Sequence, residues 1–521
     1  MSARCAFPSF VLTLFVSASL AGCGGGNSAS IASAPPTVNP AASNPVPVLT
    51  SINPASGTVG SSGITLTATG QNFLSASVIY WNSAPVATSY ASATKLTAQI
   101  PAGDLQNVAN NMITVVNPSP GGGTSNALTF VVNAPPTTTT GFRLNLPAND
   151  LAWDPVNQVI YLSLPSADGP NGNTVQVLHP AAPSLGASAY AGSEPNLLAV
   201  SKSSKYLYVS LNGASEVHRM TLPNLGTDIT IPLGSGSLSG PFFAMDLQAG
   251  PAYDGTVAIV RGTPATTPEE EGGVVIYDDA TMRPDVLCGF MQMGCTTGLD
   301  GALYDSIQWN SDGSEMFAAN NESSSFDFYT IPVTSAGFGM ATDYPGLVGD
   351  SRGAFTGDIH YDPTTQYVYV DNGNVIDPVA GMLVGTFNSS GIMVPDGALG
   401  TAFFLGQTVA TRGTATYTLE SFDIRKLTPI STLAIPNVIG MPTHLIRWGA
   451  DGLAFTTTSV GASSSTPAGA VYVVSGPFVS GTGAAARSAK PPAHNVQRTW
   501  KPVRMMQHVP SESELSHSFN Q

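Results

Sequence analysis

Charge is what this sequence has least of. Only 10% of its 521 residues are Asp, Glu, Lys or Arg, where an average soluble domain carries about 25%. Its surface must therefore be built from Ser, Thr, Asn and Gly, with 54 Gly and 41 Pro available for turns. Cations are scarcer still, 18 against 33 acids, and five of them (Arg487, Lys490, Arg498, Lys501 and Arg504) fall beyond residue 480. An acidic body without clustered cations excludes nucleic acid as a partner, because phosphate neutralisation needs them. No apolar run after the N-terminal segment reaches the ~20 residues of a membrane-spanning helix. The Gly-x-Ser-x-Gly elbow, His-Glu-x-x-His, Cys-x-x-Cys and phosphate-loop signatures are all missing, which removes the enzyme families that depend on them.

What is present begins at the N-terminus. An apolar stretch from Phe10 to Leu20 ends in Leu20-Ala21-Gly22-Cys23, and a segment of that kind is processed rather than folded. The run resembles the lipobox of bacterial lipoproteins. That resemblance implies a signal peptide over 1–22, a diacylglycerol on Cys23, and an exported body lipid-anchored in the cell envelope. Gly24 in place of Asp implies the outer membrane. An ordinary secretory signal with an incidental Cys23 is the alternative. Residues 23–45, rich in Ser, Ala, Pro and Asn, read as a flexible stalk. In such a compartment Cys288 and Cys295 read as a local disulfide, a metal site being the alternative that would want more Cys or His nearby.

Period-two alternation starts after the stalk, in Ile64–Thr69, Ser77–Trp81, Lys95–Ile100, Met112–Val116 and Ala127–Val132. Short strands at this spacing, each bounded by turn residues, predict a β-sandwich. The motifs Ser51-Ile-Asn-Pro-Ala-Ser-Gly57, Thr69-Gly-Gln-Asn-Phe73, Ile100-Pro-Ala102, Val116-Asn-Pro118 and Gly123-Thr-Ser-Asn126 occur in order. They resemble an IPT/TIG domain over 46–133, which implies an immunoglobulin-like fold serving as spacer or binding module, with no catalytic residues. Phe73 and Trp81 are the expected core plugs, and 134–141 reads as a short interdomain linker.

From 142 to 478 a unit recurs: a polar residue, an alternating strand ending near an aromatic, a tight turn, and a second strand. It appears at Asp150–Ser163, Asn196–Ser210, Ser306–Ala318, Asp358–Val370 and His444–Thr456, with weaker copies near Phe243 and Ala398. That spacing suits four-stranded propeller blades. The stretches Asp362-Pro-Thr-Thr-Gln-Tyr-Val-Tyr-Val370 and Ser201-Lys-Ser-Ser-Lys-Tyr-Leu-Tyr-Val209 resemble the YVTN/lactonase-like seven-bladed β-propellers. The fold class expected is thus all-β, a small Ig-like sandwich plus a seven-bladed propeller. Gly141–Leu146 is the candidate for the outer strand missing from the last blade. Residues 479–521 read as a disordered tail, a basic tail contacting cell-wall polyanions being the alternative.

Propellers place ligands where loops enter the innermost strands, which singles out Asp150, Asn196, Asp305, Asp358 and His444. Carboxylates and amides converging there are a Ca²⁺ ligand set, and lactonase-like propellers hold a divalent metal in their channel. The competing reading is local Asx turns with no cofactor. Trp153, Trp309 and Trp448 recur at one repeat position and are expected in the core. Two functions stay open. One is a monomeric, non-enzymatic binding or scaffold lipoprotein whose propeller takes a cell-surface glycan, peptide or protein. The other is a metal-dependent lactonase-like hydrolase with its site in the channel.

Overall fold

The computed structural model describes residues 43–61, 63–134, 138–236, 240–263, 270–288, 304–320, 325–349, 357–411, 414–458 and 469–480. Among them the chain is almost wholly β. No helix in this set is long and apolar enough to cross a membrane.

The N-terminal unit is a sandwich of two sheets. One runs Val48–Asn53, Ile64–Gln71, Lys95–Ile100, Thr88–Ser92, and the other Ser56–Thr58, Leu128–Asn133, Ala109–Asn117, Val78–Trp81, Ala84–Pro85. Alternation places Leu66, Ile79, Leu96, Ile113, Val115 and Phe130 in the space between them. Trp81 meets Phe130 there with ring centroids 5.1 Å apart, and Phe73 is 2% exposed. The predicted core plugs are therefore core. Gly70 is required by close approach, since a Cβ at that position would lie 2.0 Å from the Val48 carbonyl oxygen.

The motif asparagines tie the sandwich together. Asn126 accepts the Leu49 amide through Oδ1 and donates to the Leu49 carbonyl through Nδ2, at 3.0 and 2.8 Å. Asn117 donates to the carbonyls of Pro45 and Asn72. A side chain that satisfies backbone groups across a gap between sheets stands in for a ladder that cannot form.

The second unit is a ring of seven sheets among the described residues. Blade 1 comprises Asp150–Asp154, Val159–Leu164, Thr174–His179 and Ser184–Tyr190, and blade 2 comprises Pro195–Val200, Tyr206–Leu211, Glu216–Thr221 and Gly226–Pro232. Blades 3 to 6 begin with Phe243–Ala249, Ser306–Trp309, Ile359–Asp362 and Ile392–Asp396. Blade 7 holds Met441–Trp448, Gly452–Thr458 and Ala470–Ser475. Its fourth strand comes from far earlier in the chain: Thr140–Leu144 pairs antiparallel with Ala470–Ser475, Thr140 opposite Ser475 and Leu144 opposite Val471. The strand read from the sequence as a ring lock, Gly141–Leu146, thus starts one residue earlier and ends two residues earlier than read. Closure of this kind removes the exposed edges that an open sheet would present.

Second strands differ from the alternation read in the sequence. Val159–Leu164 and Tyr206–Leu211 are buried at every position, because a neighbouring blade covers each face. Trp309 and Trp448 are core at 8% and 5% exposure, while Trp153 is only half-buried and lies 6.2 Å from Trp448 across the closing seam. The short helix Pro477–Ser480, with Val479 buried, crosses the expected tail boundary at residue 479. Cys288 is 8% exposed. Cys23, Cys295 and residues 481–521 lie outside the described residues.

Candidate functional site

The ring brings the starts of the innermost strands together, and their polar side chains join one blade to the next. Asp150 accepts the Leu151 amide through Oδ1 at 2.6 Å and the Leu198 amide of blade 2 through Oδ2 at 2.8 Å. Asp246 repeats the arrangement two blades on, accepting Leu247 at 2.6 Å and Ile307 of blade 4 at 2.7 Å. Ser306 Oγ accepts the Ile359 amide of blade 5 at 3.3 Å, and Asp371 accepts Met393 of blade 6 at 3.1 Å. At the other end of these strands, Arg447 Nε donates to Asp396 between blades 6 and 7 at 2.9 Å. His444 Nδ1 lies 3.7 Å from Asp150 Oδ1 where the ring closes.

The five sequence candidates consequently separate. Asp150 and His444 meet at the seam, and Asn196 lies beside them, its carbonyl accepting the Ser163 hydroxyl at 2.5 Å. Asp358 is exposed on another part of the ring, with its backbone amide held by Asp371 at 3.2 Å. Asp305 is half-buried one residue before Ser306, and its amide bonds the Ala319 carbonyl. Among the described residues no group of three or more His, Cys, Asp or Glu is placed to hold a metal ion. The five candidates are not gathered into one calcium cage.

Asx turns do form, but at the opposite end of the strands. Asp154 Oδ1 accepts the amides of Val156 and Asn157, Asp362 those of Thr364 and Thr365, and Asp423 those of Arg425 and Lys426. The hairpins are thereby fixed by carboxylates two and three residues ahead of the amides they cap.

Sequence reasoning missed Asp246 and Asp371. His360 Nε2 lies 2.9 Å from Asp371 Oδ1, with 26% of its side chain exposed. Burial works against its charged form, but the hydrogen bond to Asp371 and the charges of Asp371, Asp358 and Asp246 outweigh that and raise its pKa. Burial likewise raises Asp371, opposed by His360. Asp246 is pushed up to about 7, first by burial and then by the charge on Asp358, against the pull of its amide donors. A signal for Asp246 existed in the alternation of Phe243–Ala249, yet that strand lacks the tryptophan that marks register in blades 1, 4 and 7. Asp371 opens an Asp-Asn-Gly turn, which reads as a hairpin and nothing more.

The family comparison bears on the sandwich. Its residues 47–132 match the IPT/TIG domain model. Residues 47–132 are an IPT/TIG domain. The IPT/TIG domain is followed by a β-propeller, so the chain is all-β with an Ig-like sandwich ahead of a ring of four-stranded sheets. Among solved structures, the chain is similar to the Cps50 (Swd1) β-propeller domain of Myceliophteria thermophila at 9% identity and TM-score 0.42, over 64% of this chain and 99% of that one. It is similar to the Dos1 propeller at 11% identity and TM-score 0.37, over 82% and 95%. A functionally unknown protein from Desulfotomaculum acetoxidans is similar at 13% identity and TM-score 0.38, over 62% and 95%. No curated protein matches the sequence.

Proposed function

We propose that this chain is an exported lipoprotein, anchored to the outer membrane through Cys23, that binds a partner non-enzymatically through its propeller. In this reading the IPT/TIG domain and the stalk hold the propeller off the membrane, and Cys288 pairs with Cys295. The observation that carries it is the use of the channel-side carboxylates. Asp150 and Asp246 each accept two backbone amides, one from the next blade, so they serve the ring before they serve any ligand. Recognition then falls to the blade surfaces, whose low charge and abundant Ser, Thr and Asn suit neutral polar partners.

Two measurements test it. Palmitate labelling in a Gram-negative host should be lost in Cys23→Ala, which should also leave the membrane fraction. The full chain should capture a glycan or protein from envelope extracts, and Asp150→Asn, if folded, should capture it equally. A second reading as a lactonase-like hydrolase is favoured by one observation, the His360–Asp371 pair beside Asp246, since perturbed acids and bases gather at catalytic sites. Turnover of lactones or esters that is abolished by Asp371→Asn would establish it.

A further inference from the structure

A cleft of about 310 Å³ lies away from the ring's inner mouth, between the first hairpin of blade 3 and that of blade 4. Pro251, Tyr253, Thr256, Asp278, Arg283 and Trp309 define it. Its volume sits at the lower end of the ~300–1,000 Å³ range of small-molecule sites.

The lining has two chemically distinct sides. Trp309, Pro251 and Tyr253 make an apolar and aromatic one. The indole is fixed by donation from Nε1 to the Gln248 carbonyl at 3.3 Å. The Tyr253 residue is 53% exposed, yet its hydroxyl is held by Asp279 Oδ2 at 2.9 Å, so a solvent-facing ring is kept in one orientation. The other side is a planar carboxylate–guanidinium pair. Arg283 Nε and Nη2 donate to Asp278 Oδ2 and Oδ1 at 2.9 and 3.0 Å, and Nη1 donates to the Thr334 carbonyl. Thr256 Oγ1 adds a 2.6 Å bond to Asp278 Oδ1.

This pair has capacity left over. A guanidinium carries five N–H donors and a carboxylate about four acceptor positions, of which the contacts above use three each. The opposite charges cancel, so the cleft offers little to a free anion or cation. A wholly apolar ligand would leave the spare polar groups without partners, which is costly. A molecule with one C–H face and a rim of hydroxyls satisfies both sides at once.

We infer that this cleft is a saccharide subsite, with a pyranose ring stacked on Tyr253 and its hydroxyls bonded to Arg283 and Asp278. The inference rests on the binding reading above and names a ligand class and a place for it. Tyr253 stacks on the ring, Arg283 donates and Asp278 accepts, and the spare donors and acceptor select neighbouring hydroxyls.

The test uses the full chain and ligand-observed NMR titrations with methyl glucopyranoside, methyl mannopyranoside, methyl galactopyranoside and N-acetylglucosamine, alongside a proline-rich peptide. Saturable binding of at least one pyranoside is expected. It should weaken about tenfold or more in Tyr253→Ala, as for an aromatic anchor, and be retained in Tyr253→Phe, which keeps the ring. Arg283→Gln, checked for native circular dichroism, should weaken it as well. Binding that is unchanged in Tyr253→Ala, binding of the peptide alone, or no saturable binding of any saccharide would overturn the inference. If the full chain still captures an envelope partner in those cases, only the subsite falls. If it captures nothing, the broader binding reading falls with it.

Discussion

Asp150 in the first blade accepts the backbone amide of Leu198 in the second at 2.8 Å, across 48 residues of sequence. A carboxylate that receives its own neighbour's amide and one from the next blade acts as a staple between sheets. Asp246 and Ile307 repeat the relationship between the third and fourth blades. Asp150, which looks like part of a ligand ring in the sequence, is therefore one of the contacts that hold the ring's inner rim.

Removing one staple should cost stability without opening the fold. Asp150→Ala leaves two buried amides without their acceptor, and hydrogen bonds to charged groups are worth about 1.5–3 kcal/mol each. Urea unfolding should show a loss of about 3–6 kcal/mol in the propeller transition. A midpoint equal to that of the parent would refute the structural role.

Protonation should matter in a defined direction. The folded pKa of Asp246 is about 7, above its unfolded value near 3.9, so its contribution is complete below about pH 4 and is lost as pH rises through 7. His360 is also raised, and its contribution is complete below about 6.5 and lost as pH climbs through the folded value. Each group sets a slope of at most about 1.4 kcal/mol per pH unit. Thermal melts from pH 4 to 8 should fall less steeply in Asp246→Asn, which resembles the protonated acid. A parallel pH profile for that variant would show that Asp246 is ionised throughout.

The closing strand should be indispensable. A chain beginning at residue 138 keeps Thr140–Leu144, whereas one beginning at 146 strips it from Ala470–Ser475 and exposes that edge. The shorter chain should melt lower and elute as aggregates or strand-paired dimers. Identical elution and melting of the two would mean that the ring closes without it.

Gly70 offers a test confined to the IPT/TIG domain. Gly70→Ala places a methyl 2.0 Å from the Val48 oxygen, and overpacking of this kind costs about 1–3 kcal/mol. Calorimetry should show one transition lowered and the propeller transition unmoved. A shift of both would indicate that the two domains unfold together.

Much of the architecture was legible because it is local. Alternation, the Asp-Gly and Asn-containing turns, and the aromatic near the end of a first strand all operate within one hairpin, and they predict strands and blades together. The IPT/TIG motifs are legible in part for the same reason, since Asn72 takes a positive φ of 63° set by its own turn.

By itself the sequence determined the all-β class, the order of the two units, and the strand that closes the ring. Which side chains converge was decided only by the tertiary structure. Asp246 meets Ile307 across 61 residues, and Asp371 meets Met393 only because blades 5 and 6 are neighbours in the ring. The sequence placed Asp305 among the ligands, one position from the residue, Ser306, whose side chain makes the contact to the next blade. Trp153, core by repetition, is half-buried because it borders the seam where the first and last blades meet. Periodicity specifies which face a residue takes within its own sheet. Its partners in the next sheet depend on ring closure, and no local pattern encodes that.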